Sequence, residues 1–178
     1  MKRCRQAFNL ILAGLWVILA WGCRNPDPAT ASLRQKGKEV STLRLHLETN
    51  ADGTDRVQTV KVLRSQPITL TVDRVAVLHE GDVKEATVVD AMGGFALKVQ
   101  FNDRGRRIME MTTVANKGQR WAIHSQFGDS RWLAAPLITQ NVTNGVLVFT
   151  PDATREESDR IVRGLNRVAA EAAKKNQW

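Results

Sequence analysis

Few side chains in this chain could do chemistry. Its three histidines are His46, His79 and His124, and none has the HxH or HExxH spacing that puts two imidazoles on one metal ion. His124, Ser125 and Asp129 are the residue types of a hydrolytic triad. Triad members meet from separate elements, however, and neighbours on one strand point to opposite faces, so no catalysis is expected there. The chain has no GxSxG elbow, no phosphate-binding GxxxxGK[ST] loop and no GxGxxG turn. Its only cysteines, Cys4 and Cys23, both precede the body of the protein, which excludes an internal disulfide or a thiolate metal site. The expectation is a protein that is not an enzyme, with no catalytic residue, metal or cofactor.

Two groups of residues are better suited to binding. Arg104, Arg106 and Arg107 fall in the first turn of an expected helix, where positive charge opposes the helix dipole. The cluster reads either as a docking point for an acidic partner or lipid headgroups, or as a solvated face with Arg106 and Glu110 paired at i, i+4. Trp121 and Trp132 each stand beside an arginine on an expected hairpin. They read either as a surface for unfolded peptide or as core aromatics of half-buried strands. His46, on the polar side of its strand, is expected to be solvated.

The elements that must carry these residues follow from periodicity. In LRLHLE, Leu43, Leu45 and Leu47 alternate with Arg44, His46 and Glu48, the pattern of a half-buried strand. Strands are expected at 56–63, 68–78, 85–91, 95–102, 120–127, 130–138 and 145–150. Asp52-Gly53, Met92-Gly93-Gly94 and a two-residue Gly128-Asp129 loop provide the turns. One helix starts at Asn102 or Asp103, shows Ile108, Met111 and Ala115 at helical spacing beside Thr112, and stops at Lys117-Gly118. A second follows the capping box Thr154–Glu157, with Ile161, Leu165, Val168, Ala169 and Ala172 along one stripe to about Ala173. The fold class is α+β: an antiparallel sheet with two helices packed on one face. Its order is strand, strand, helix, strand, strand, strand, helix, preceded by a β-hairpin segment.

The amino terminus sets the compartment. MKRCRQ is a positive stretch, and the apolar run 7–22 falls short of the ~20 residues of a spanning helix. Gly22-Cys23 resembles the bacterial lipobox, and that resemblance implies cleavage there with Cys23 as the lipidated, palmitate-bearing residue, although Ala20 and the bulky Trp21 depart from its usual residues. The alternative is a retained signal anchor. Either way the body lies outside the cytoplasmic face, periplasmic or at the cell surface. RNPDPATAS is the tether. The formal charge is +8, but Lys2, Arg3 and Arg5 supply three of those charges ahead of the apolar run, so the body is only mildly basic. Export argues against nucleic acid as a partner.

Residues from about Ile68 to Val168 resemble the head part of the first periplasmic domain of SecD, a protein-export subunit. Four stretches carry the resemblance in order: ITLTVDRVAVLHEGDVKEATV, GGFALKVQFNDRGRRIMEMTTVANKGQRWAI, AAPLITQNVTNGVLVFT and PDATREESDRIVRGL. The chain departs from the family at the longer Ser125–Asp129 hairpin. In that family the head handles polypeptides emerging from the channel, and transmembrane helices couple transport to protons. No spanning run follows residue 22, so the resemblance implies a head without transport activity.

The organisation expected is a signal peptide (1–22), a lipidated cysteine and tether (23–40), a β-rich leading segment (41–74) and a SecD-head-like domain (75–178). The functional expectation is a membrane-tethered extracytoplasmic module that binds protein or unfolded polypeptide, an accessory in export or envelope assembly. The rivals are a structural envelope lipoprotein with one fixed membrane-protein partner and a hydrolase with an unrecognised site.

Overall fold

A computed structural model of the chain describes residues 40–175, all within one compact unit, Glu39–Trp178. The expected signal peptide, Cys23 and nearly all of the expected tether lie outside the described residues. Alternation in residues 42–47 builds β1 (Thr42–Leu47). A hairpin follows, β2 (Val57–Val62) and β3 (Ile68–Asp73), then the short β4 (Leu78–His79) and a single 3-10 turn, Glu80–Asp82. β5 (Val83–Ala91) and β6 (Gly94–Phe101) form a long hairpin leading into helix α1 (Asp103–Ala115). β7 (Trp121–Gln126), β8 (Ser130–Ala134), β9 (Val146–Phe149) and helix α2 (Arg155–Lys175) complete the described fold.

The class is α+β, as expected, and all strand pairing is antiparallel. Among the described residues the strands divide among three sheets, ordered β4-β1-β7-β8, β2-β3 and β5-β6-β9. β1, from the leading segment, is an inner strand of the first sheet, pairing with β4 on one side and all along β7 on the other. The main core gathers Leu43, Leu45 and Ile123 from the first sheet and Leu97, Val99 and Phe149 from the third. Met109 of α1 and Ile161 and Leu165 of α2 join it. A smaller core lies under the β2–β3 hairpin, where Val60, Val62, Leu70 and Val72 cover Ala122 and Ala135.

Local chemistry sets the helix ends. The Asn102 side chain accepts from Gly105 N–H at the start of α1. At α2 the capping box forms in both directions: Glu157 N–H donates to Thr154 Oγ1 and Thr154 N–H to Glu157 Oε2. The α2 stripe is buried at Ile161, Leu165 and Ala169 and half-buried at Val168 and Ala172. Close approach is built in at Gly164, where a Cβ would lie 2.5 Å from the Ser41 amide nitrogen.

Three expectations are corrected. The buried face of α1 is Gly105, Met109 and Thr113, not the stripe through Met111, which is 69% exposed, and Ala115, also exposed. Gly105 faces inward because its missing Cβ lets the helix rest on Asp82 and Phe101. The β7–β8 turn has three residues, Phe127–Asp129, because Gln126 pairs with Ser130 and Phe127 folds into the core. His46 is 6% exposed rather than solvated, because the β2–β3 hairpin covers what would otherwise be the wet face of the sheet.

Candidate functional site

The sheet edges are treated differently. An edge strand exposes unpaired backbone groups that invite another strand. At β5 that row is interrupted by α2: Asn166 Oδ1 accepts from Ala86 N–H at 2.7 Å, and its Nδ2 donates to Ala86 O at 2.9 Å. One side-chain amide thus occupies the donor and acceptor that a neighbouring strand would use.

The opposite edge, β9, lacks such a seal. β9 pairs with β6 through Leu97↔Phe149, Lys98↔Val148, Val99↔Leu147 and Gln100↔Val146. Phe101 N–H donates to Gly145 O. Because bonded and non-bonded pairs alternate in an antiparallel ladder, Val146 and Val148 turn their amides away from β6. Asn144 Oδ1 takes the Val146 N–H at 3.0 Å. Among the described residues, nothing takes the N–H or C=O of Val148.

The chain after β8 supplies a second open edge. Trp121 N–H donates to Pro136 O and Ile138 N–H to Gln119 O, which makes Arg120 and Leu137 a non-bonded pair. The backbone groups of Leu137 therefore also point away from β7. Between Pro136–Gln140 and Val146–Val148 lies a cleft of about 340 Å³, with Trp121 and Thr113 also lining it. Leu137 and Val148 remain 46% and 52% exposed there. Asp152 N–H bonds Leu133 O at 2.7 Å, bringing together the chain beyond β9 and β8. The cleft thus offers backbone donors and acceptors beside apolar side chains, the features that take up an extended chain by strand addition.

The residues singled out from sequence do not form one surface. Trp121 is 3% exposed and belongs to the main core, from where it reaches the cleft lining. Trp132 is half-buried on the far side of the first sheet, against His46 and His124. Arg104 pairs with the buried carboxylate of Asp82, and Arg106 lies 3.6 Å from Glu110, the i, i+4 pair foreseen. Arg107 is exposed. The lipidation candidate, Cys23, lies outside the described residues. Leu137 and Val148 were missed because their contribution is backbone direction, which no side-chain pattern encodes.

His124, Ser125 and Asp129 do not converge. His124 Nε2 is 3.0 Å from Ser130 Oγ, Ser125 Oγ donates to Thr42 O, and Asp129 pairs with Arg131 at 2.6 Å. That arginine also bonds Glu157 at 2.9 Å. The Arg131 bond, helped by the Thr154 amide, holds the Glu157 carboxyl down at about 2. Among the described residues no three His, Cys, Asp or Glu side chains gather as a metal site, and no helix is long and apolar enough to cross a membrane.

No protein-family model and no curated protein matches the chain. Solved structures do. One is the membrane component SecDF that enhances protein export, with 18% identity, a TM-score of 0.56 and 81% of this chain aligned to 70% of that one. Another is SecDF in its super-membrane-facing form, with 18% identity and a TM-score of 0.56 over 79% of this chain. This chain spans about a fifth, 21%, of that second SecDF chain. The likeness is one of fold, and it is the SecD-type fold that the sequence resembles.

Proposed function

Starting from a fold shared with SecDF, we propose that this protein is a membrane-tethered extracytoplasmic binding module that takes up extended polypeptide in the cleft between β9 and Pro136–Gln140. The observation that carries this reading is the pair of outward-turned backbones, Leu137 and Val148, on the two walls of one apolar cleft. A bound segment adds to the β9 edge. Its backbone bonds Val148, and its apolar side chains replace water against Leu137 and Val148. Recognition through the backbone is indifferent to sequence, which suits a module that meets many clients. The export role of SecDF supports the same direction.

The module acts by binding and not by catalysis, and an N-terminal lipid on Cys23 holds it at the membrane. The test of binding is a titration of residues 24–178 with unfolded exported polypeptides. Saturable binding is expected, and no binding at high micromolar concentration would refute the proposal. The open β9 edge also suits one fixed strand from a membrane-protein neighbour. Cross-linking in cells separates the two readings: many clients favour the first, and one recurrent partner the second. Mass spectrometry of the mature amino terminus tests lipidation, and an unmodified Met1 would refute it.

A further inference from the structure

The covered face of the first sheet holds a group that the cleft does not use. The indole of Trp132 is flanked by two imidazoles. His46 meets it edge-on at 5.2 Å between centroids and 66°, and His124 at 5.0 Å and 62°. Trp132 also packs against the small core beneath the β2–β3 hairpin. His46 Nδ1 lies 2.8 Å from the carbonyl oxygen of Asp73, the last residue of β3. A carbonyl only accepts, so neutral His46 carries its hydrogen on Nδ1, and Nε2 is left to receive any further proton.

We propose that His46, Trp132 and His124 form a proton-operated latch, which holds the β2–β3 hairpin on the sheet while both imidazoles are neutral and releases it when they are protonated. Burial makes a charge on His46 costly, and the neighbours compound the cost. Arg44 stands opposite His124 in the β1–β7 register, and His124 lies across the indole from His46. The other charged groups in this region give little relief. Asp73 turns its carboxylate to the Val75 N–H, while Glu48 accepts from the Arg120 N–H at the far end of the strand pair. Burial foremost, then Arg44, depresses His46 against the opposing pull of the Asp73 carbonyl and charge. Burial, then His46 and Arg44, depresses His124.

The hairpin is the element able to yield. Its own core is small, and among the described residues its further ties include the Glu48↔Val72 bridge, the bond from Thr49 N–H to Thr71 O, and Arg64, whose N–H and guanidinium both bond Asp152. Opening it leaves the main core intact, the pattern of a local unfolding unit. The sign follows from the depressed values. Stability is full above the unfolded histidine value of about 6.5 and is lost as pH falls through the lower folded ones. The latch does not depend on what the cleft binds.

The test is hydrogen exchange of the full chain in mild detergent, corrected for intrinsic rates, at about pH 7.5 and about pH 5. Protection across residues 56–73 is expected to fall about tenfold or more, while β5 and β6 keep theirs. In the double variant His46→Gln/His124→Gln the hairpin is expected to show no such pH dependence. Unchanged hairpin protection in the wild type, equal loss throughout the domain, or the same pH dependence in the double variant would each overturn the latch. If the double variant lacks hairpin protection already at neutral pH, the His124→Gln variant decides, because it keeps the Asp73 bond. A reduced pH dependence supports the latch, and an unchanged one overturns it.

Discussion

Glu157 illustrates how much one side chain does in this fold. It closes the capping box of α2 and binds Arg131, which in turn lies 5.2 Å from the centre of the buried Phe127 ring. Replacing Glu157 by glutamine is expected to cost about 1 kcal/mol in denaturant unfolding at neutral pH, the range of a partly exposed charged bond to Arg131, because a glutamine oxygen still accepts from the Thr154 N–H and keeps the cap. Its folded value is depressed to about 2. The contribution is therefore full above the unfolded value and is lost as pH falls through about 2, so the gap between wild type and variant should close in strongly acid solution. The TREE sequence made this cap legible, because both partners lie within four residues. His46 was not legible. Alternation marks which face of β1 is polar, but not that a hairpin from elsewhere in the chain covers that face.

At the scale of elements, the two edges of the third sheet make opposite predictions. Replacing Asn166 by leucine strips Ala86 of both hydrogen bonds and is expected to lower stability by about 1–3 kcal/mol, with peptide binding at β9 unchanged. The Asn166→Asp variant keeps the acceptor and loses the donor, so an intermediate loss is expected, read from thermal unfolding. Gly164→Ala is expected to destabilise by a further, separate route of about 1–3 kcal/mol, because its methyl group meets the Ser41 backbone. The apolar stripe of α2 was readable, since Ile161, Leu165 and Ala169 are buried as spaced. The stripe of α1 was not. Its contact face uses a glycine and a threonine whose hydroxyl accepts from Val142 N–H, while the conspicuous Met111 faces outward. Hydrophobicity marks a buried face only where the contact itself is apolar.

Over the whole molecule, most of the strand and helix order could be read from turns, caps and alternation, because each is local, but the strand expected at 68–78 splits into β3 and β4, which join different sheets. The division into three sheets and the cleft between two of them could not. The cleft joins a proline-containing segment after β8 to an edge strand after a loop, and its key groups are amides. The arginine cluster on α1 was conspicuous in sequence, but two of its members are engaged with Asp82 and Glu110. Uptake of an extended chain therefore rests on β9, and Val148→Pro tests it most directly. The substitution removes an N–H that β6 does not use, which an edge strand tolerates, so the melting temperature should stay close to that of the wild type. Titrated with an extended apolar peptide and followed by NMR, the wild-type domain should show shifts concentrated at Pro136–Gln140 and Val146–Val148, and the variant should lose binding. Equal binding by a folded Val148→Pro variant, or wild-type shifts centred on Arg104–Arg107 instead, would contradict the account.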